Sequence, residues 1–117
     1  MSKDAPRLFV RVVLGEGRLG PGKAALLEGI AEHGSIARAA AAMKMSYRRA
    51  WLLVKETEAL VGAPVVTTSI GGADGGGARL TEAGTAIAAA YRSIERKTAK
   101  AAAAELAKLA ALAKAPG

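Results

Sequence analysis

The sequence contains no cysteine. Disulfides, thiolate zinc sites and cysteine nucleophiles are excluded together, and stability has to come from packing. The single histidine, His33, leaves a transition-metal cluster or a histidine-based triad almost nothing to build from, and its place at a helix end explains it. Glu56 and Glu58, the nearest approach to a carboxylate pair, stand two apart on a helix and so point to different faces. No catalytic residue, metal or cofactor is assigned, and an enzyme has the least support of any function class. No apolar run approaches the ~20 residues that cross a bilayer, and residues 1–6 are too polar and short to begin a secretion signal. The expected location is the cytoplasm, with no membrane partner.

Aromatic residues make up 3% of a chain that is 51% hydrophobic, much of it alanine. That composition favours helices packed at close range over a sandwich of large side chains. A length of 117 residues accommodates one compact domain with an extension. Seventeen Lys and Arg against ten Asp and Glu give a formal charge of +7 and a pI near 10.2, which suits a polyanion, nucleic acid before anionic membrane.

Arg7 to Leu14 is rich in β-branched residues and stops at Gly15-Glu16-Gly17, which predicts a strand and a turn, with the strand's partner drawn from elsewhere in the chain. Pro21 opens a first helix whose Leu26, Leu27 and Ile30 share a face and which Gly34 ends. Ser35 caps a short second helix to Met43, where Ala39 to Ala42 leave room for a close helix crossing. Ser46 caps a third helix, Tyr47 to Val61, with Ala50, Val54, Thr57 and Val61 at helical spacing. Pro64 to Ile70 and Ala78 to Leu80 read as two strands joined by a glycine loop. Thr81 caps a last helix from about Glu82 onward, and residues 82–113 would extend about 48 Å at a rise of about 1.5 Å per residue. The fold class is mainly α with a small β-hairpin wing. It divides into a winged helix-turn-helix over residues 1–81 and a long linker or dimerisation helix and tail over 82–117.

Between Ser35 and Lys55 stand five basic residues, Arg38, Lys44, Arg48, Arg49 and Lys55, and no acidic one. With Tyr47, Ala50, Val54 and Thr57 turned inward, Arg48, Arg49, Leu52 and Lys55 face outward, toward a major groove. Arginine's planar fork bonds guanine O6 and N7 together, and the helix N-terminus at Ser46 attracts phosphate. The same pattern also fits a merely solvated face. Tyr47 and Trp51 are candidates for sugar, phosphate or thymine-methyl contacts; an aromatic at helical spacing more often belongs to a core, Trp51 fits either place, and Tyr47, beside the cap, is the better DNA candidate. Ser35 and Ser46 suit phosphate contacts, though capping accounts for both. In the hairpin, Gly72, Gly75 and Gly76 allow a close backbone approach to DNA and Arg79 adds a charge, while Asp74 would repel phosphate. The loop is not a P-loop, since no Gly-Lys-Ser/Thr follows it.

The segments GPGKAALLEGI (20–30), HGSIARAA (33–40), MSYRRAW (45–51) and GGADGGGARLTEAG (71–84), in this order, resemble the N-terminal DNA-binding domain of the ModE family of molybdate-dependent transcriptional regulators, a LysR-type winged helix-turn-helix. The resemblance implies that Ser46 to Trp51 open the recognition helix, that residues 71–77 form the wing tip, and that the protein is a homodimer. Thr68 and Ala73 stand where relatives often carry basic residues, and Lys44 replaces a frequent glycine of the turn, which implies a left-handed lysine. Full-length members carry C-terminal molybdate-binding domains, whereas this sequence ends in an alanine-rich helix, so the chain is not expected to bind a small-molecule ligand specifically.

The partners expected are double-stranded DNA and a second copy, joined along Ile87, Tyr91, Ile94, Leu106 and Leu109. The leading function is a sequence-specific regulator on a palindromic operator. Two alternatives are an architectural, nucleoid-associated protein that coats DNA through charge, and a DNA-binding subunit paired with a separate sensor protein.

Overall fold

The computed structural model describes residues 5–70 and 77–114. Two short strands come first, β1 (Val12–Leu14) and β2 (Gly17–Leu19). They pair antiparallel with Leu14 opposite Gly17, so the expected strand is only three residues long and its partner is the next segment of chain. The turn is Gly15-Glu16, with Gly15 at φ +57°, the backbone that a two-residue hairpin asks of its first central position.

Three helices follow: α1 (Pro21–His33), α2 (Ile36–Ala42) and α3 (Tyr47–Val61). Each start and stop has a local cause. Pro21 sits in the first turn of α1 and Gly34 ends it at φ +69°, with its N–H on the Ile30 carbonyl. Ser35 and Ser46 Oγ accept from the amides of Arg38 and Arg49, capping α2 and α3. Gly62, at φ +66°, stops α3.

Leu26, Leu27 and Ile30 of α1, Ile36, Ala39 and Ala40 of α2, and Ala50 and Val54 of α3 form the buried centre, closed by Val65, Ala78 and Ala88. Small residues decide how near the helices come. A methyl added at Gly29 would press on Ala39 Cβ at 3.3 Å, so α1 and α2 already meet at contact distance.

The wing is the hairpin of β3 (Val66–Ser69) and β4 (Gly77–Leu80), with Thr67 opposite Arg79. The Ala78 amide donates to the Gly34 carbonyl at 2.8 Å, fastening β4 to the turn between α1 and α2. Thr81 caps α4 (Glu82–Ala101) and reaches back through its own hydroxyl to the Pro64 carbonyl at 2.7 Å. Gly84 is pressed against the Val65 carbonyl so closely that a β-carbon has no room.

The last helix covers the expected span with one interruption, across which the Ala102 amide still reaches the Thr98 carbonyl at 3.0 Å and the Leu106 amide the Ala102 carbonyl at 2.9 Å. The helical pattern lapses at Ala102 and resumes as α5 (Ala103–Lys114). The compact part does not end at residue 81, because Ala88 and Tyr91 are buried against the rest of the domain. Tyr91 packs with Leu19 and Ala24, and its hydroxyl donates to the Val10 carbonyl at 2.6 Å. Past that point the helix leaves the core, and the molecule measures 60 × 28 × 21 Å. Its radius of gyration, 17.4 Å, exceeds the roughly 13 Å expected of a compact domain this long. No helix among the described residues is long and apolar enough to cross a membrane.

Candidate nucleic-acid interface

The site is built on the turn between α2 and α3. Met45 N–H reaches the Ala40 carbonyl and Lys44 N–H the Ala41 carbonyl, both at 3.0 Å, which together close the end of α2 in a Schellman arrangement. That closure needs a left-handed residue, and Lys44 supplies it at φ +57°. The lysine therefore takes the conformation implied by the absence of glycine, with its side chain exposed at the corner.

α3 shows one buried and one open face. Ala50, Val54 and Thr57 are buried, and the Thr57 hydroxyl is spent on the Leu53 carbonyl at 2.8 Å. Arg48, Arg49, Leu52 and Lys55 are exposed, as the spacing predicts. Tyr47 is not turned inward: it is 55% exposed beside the Ser46 cap, while Trp51 is 43% exposed one turn further along. Tyr47, Arg48, Trp51, Leu52 and Lys55 thus extend one open surface along the first half of α3.

The charges divide into those already engaged and those not. Lys55 holds Glu58 at 3.1 Å and stands 5.3 Å from the centre of the Trp51 ring. Burial alone would raise the Glu58 carboxyl, yet the Val65 amide and the Lys55 ammonium outweigh it and hold the group below its usual value. Lys23 pairs with Glu56 at 3.2 Å, so the two carboxylates of α3 point to different partners and both are neutralised. No described residue engages the side chains of Arg48, Arg49, Lys44 or Arg79. Arg38 is exposed on α2, one helix before the turn. Arg48, Arg49 and Lys44, with Tyr47, Trp51 and Leu52 between them, thus offer positive charge and apolar groups together, which is the chemistry that phosphate and base edges accept.

Gly72, Gly75 and Gly76, with Ala73 and Asp74, lie outside the described residues. Arg79 lies on the outward face of the wing opposite Thr67. Ser35 is half-buried at its cap, and Ser46 is exposed at the mouth of α3.

Of the seam residues, Tyr91 is fully buried and Ile87 half-buried against the domain's own two clusters, so neither belongs to an open stripe. Ile94, Leu109 and Leu112 remain exposed, and Leu106 is half-buried. Sequence reasoning missed the N-terminal hairpin's part in this surface. Arg11 and Arg18 line a cleft that Arg49 also lines, and the only available signal was the short Gly-Glu turn that brings the second strand back.

Residues 23–85 match the bacterial regulatory helix-turn-helix proteins of the lysR family. The chain belongs to that family. Its helix-turn-helix is α2 and α3, and DNA is the partner such a domain serves. The chain is also similar to the molybdenum-pterin-binding protein MopB of Rhodobacter capsulatus, 47% identical over 83 residues, which cover 71% of this chain and 31% of that protein. The molybdenum transport protein ModE of Herbaspirillum seropedicae is 42% identical over 73 residues, 62% of this chain and 27% of that protein. MopA of Rhodobacter capsulatus is 42% identical over 87 residues, 74% and 33% of the two chains. The chain therefore spans about a third or less of the length of these curated relatives. Among the described residues, no three His, Asp or Glu side chains gather in a way that would hold a metal ion.

Proposed function

We propose that this protein is a cytoplasmic transcriptional regulator that binds a palindromic operator as a homodimer and controls genes of molybdenum uptake or use. The observation that carries the DNA part is the pair Arg48 and Arg49, exposed in the first turn of α3 with no described partner, while the opposite face of that helix is buried. A side chain placed there reaches base edges when the helix lies in a major groove. The molybdenum connection rests on the molybdenum-related relatives and on their identity across most of this chain. Dimerisation is supported by the apolar positions Ile94, Leu109 and Leu112, left open beyond the core.

Genome-wide mapping of the DNA bound by this protein tests the reading. The expected motif is two-fold symmetric, with half-sites about one helical turn (~34 Å) apart, and lies beside genes for molybdate transport or molybdoenzymes. Binding spread evenly over the genome without a motif would replace this reading with an architectural role.

A further inference from the structure

A cleft of about 1250 Å³ separates the β1–β2 hairpin from α3. The hairpin is firmly seated there, since a β-carbon at Gly17 would collide with the Leu60 side chain of α3. Lys23, on α1, straps the two walls together: its Nζ donates to the Arg18 carbonyl of β2 at 2.7 Å and pairs with Glu56 of α3 at 3.2 Å. With Lys23 and Glu56 cancelling, the charges left on the walls are Arg11, which leads into the hairpin, Arg18 of β2 and Arg49 of α3 against the single carboxylate of Glu16. All three arginines are exposed, and no described residue pairs with any of them. Arg49 sits at the end of the cleft where α3 begins, beside Arg48 and the Ser46 cap. The cleft thus brings Arg11 and Arg18 onto the same wall set as Arg49, with a net positive charge despite Glu16.

We propose that the β1–β2 hairpin is a second DNA-contacting element, in which Arg11 and Arg18, together with Arg49, hold backbone phosphates flanking the segment read by α3. This rests on the reading of α3 as the helix that meets DNA. The chemistry is that of a phosphate clamp: guanidinium forks bond phosphate oxygens two at a time, while carrying no base information. Lys23 is a positioning residue in this arrangement. It removes Glu56 from the path of the phosphates and fixes the distance between hairpin and helix.

The test uses the full chain and two variants, Arg11→Ala/Arg18→Ala and Arg11→Lys/Arg18→Lys, on a duplex of scrambled sequence and on the genomic sites the protein selects. Affinity is measured across a salt series, with sedimentation and thermal melting alongside. For the alanine variant the expected result is an equal loss on both DNAs and a salt slope shallower by about 1 per arginine removed from phosphate, with melting and oligomeric state unchanged. The lysine variant should recover the salt slope, which counts charges, but only part of the affinity, because an ammonium cannot make the paired bonds of the guanidinium fork. Alanine variants that bind both DNAs with the wild-type slope would overturn the proposal. So would a loss confined to the selected sites, which would mean base reading, or a change of oligomeric state, which would make the hairpin a surface between copies. Inorganic phosphate is titrated in parallel against the arginine side-chain nuclear magnetic resonance signals. Saturable binding at sub-millimolar phosphate would assign the cleft to a free anion and overturn the DNA assignment. A wild-type protein that binds no duplex even at low salt would remove the underlying reading itself, an outcome distinct from variants that bind as wild type.

Discussion

The amide of Met45 donates to the carbonyl of Ala40 at 3.0 Å, and the bond closes because Lys44 between them is left-handed, at φ +57°. For an L-residue with a β-carbon that conformation costs about 1–2 kcal/mol, a cost glycine escapes. The strain lies at the corner that sets α3 against α2, where the lysine is exposed. Lys44→Gly is expected to raise the unfolding free energy by up to about 1 kcal/mol, the strain relief being partly offset by glycine's greater freedom when unfolded. It should at the same time weaken binding to any duplex and reduce the salt slope by about 1. Chemical denaturation and a salt titration of binding read the two effects separately. A variant less stable than the parent would show that the left-handed turn carries less strain than glycine's unfolded-state freedom costs.

Arg92 ties α4 to α1. Its guanidinium meets both oxygens of Glu28, with Nη2 at 2.8 Å from Oε1, and also holds Glu95 at 2.7 Å. The hydrogen bonds from Arg92 hold the Glu28 carboxyl below its usual value of 4.5. A carboxylate whose folded value is depressed adds stability above its unfolded value, and that addition disappears as pH falls through the folded one. Both groups are partly solvated, so Glu28→Gln is expected to cost about 0.5–1 kcal/mol at neutral pH. The difference from wild type should shrink as pH drops below the usual carboxylate value and vanish at lower pH still. A melting difference that stays constant across that range would assign the loss to packing instead.

Helix ends were legible in the sequence because their signals are local. Pro21, Gly34, Ser35, Ser46, Gly62 and Thr81 each act on a backbone group within a few residues, and α3 begins and ends where those residues place it. The open face of α3 was legible for the same reason, since helical periodicity separates Arg48 and Arg49 from Ala50 and Val54. Tyr91 was not legible: apolar spacing places it on the same stripe as Ile94, and only the fold brings Val10, 81 residues away, to its hydroxyl. The strand Gly17–Leu19 carries just three residues before Gly20-Pro21, too few to show alternation. The lapse at Ala102 falls within four consecutive alanines, where no side chain marks one position from the next.

Arg48→Ala and Arg49→Ala should separate reading from holding. A bidentate arginine–guanine contact discriminates against the wrong base by about 1–3 kcal/mol, whereas a phosphate contact weakens all sequences alike when lost. Arg48 is exposed away from the hairpin cleft and Arg49 lines it. The expected outcome is that Arg48→Ala relaxes base preference at one position in each half-site, while Arg49→Ala carries a larger sequence-independent share. Binding selection from a randomised operator library, run for each variant at one salt concentration, reads both quantities. Unchanged affinity and preference for both variants would remove α3 from the DNA surface.

Dimerisation is expected to depend on the part of the last helices that the domain does not cover. Leu109 and Leu112 are 55% and 62% exposed, and Ile94 stands at the point where α4 leaves the core. Truncation just after residue 85 would be uninformative, because it removes Ala88 and Tyr91 from the core and with them the Val10 anchor. Leu109→Asp/Leu112→Asp leaves the core intact and places two charges on the open stripe, where a second copy would have to bury them. The full chain is expected to sediment as a dimer and the double variant as a folded monomer that melts cooperatively, without the parent's concentration-dependent rise in melting temperature. A monomer presents one recognition helix, so the variant should bind single half-sites as tightly as the parent's individual domains do and lose the gain from two linked contacts on a palindrome. A variant that remains dimeric would move the interface away from α5, and a full-length monomer at micromolar concentration would leave the exposed leucines without the partner argued for them.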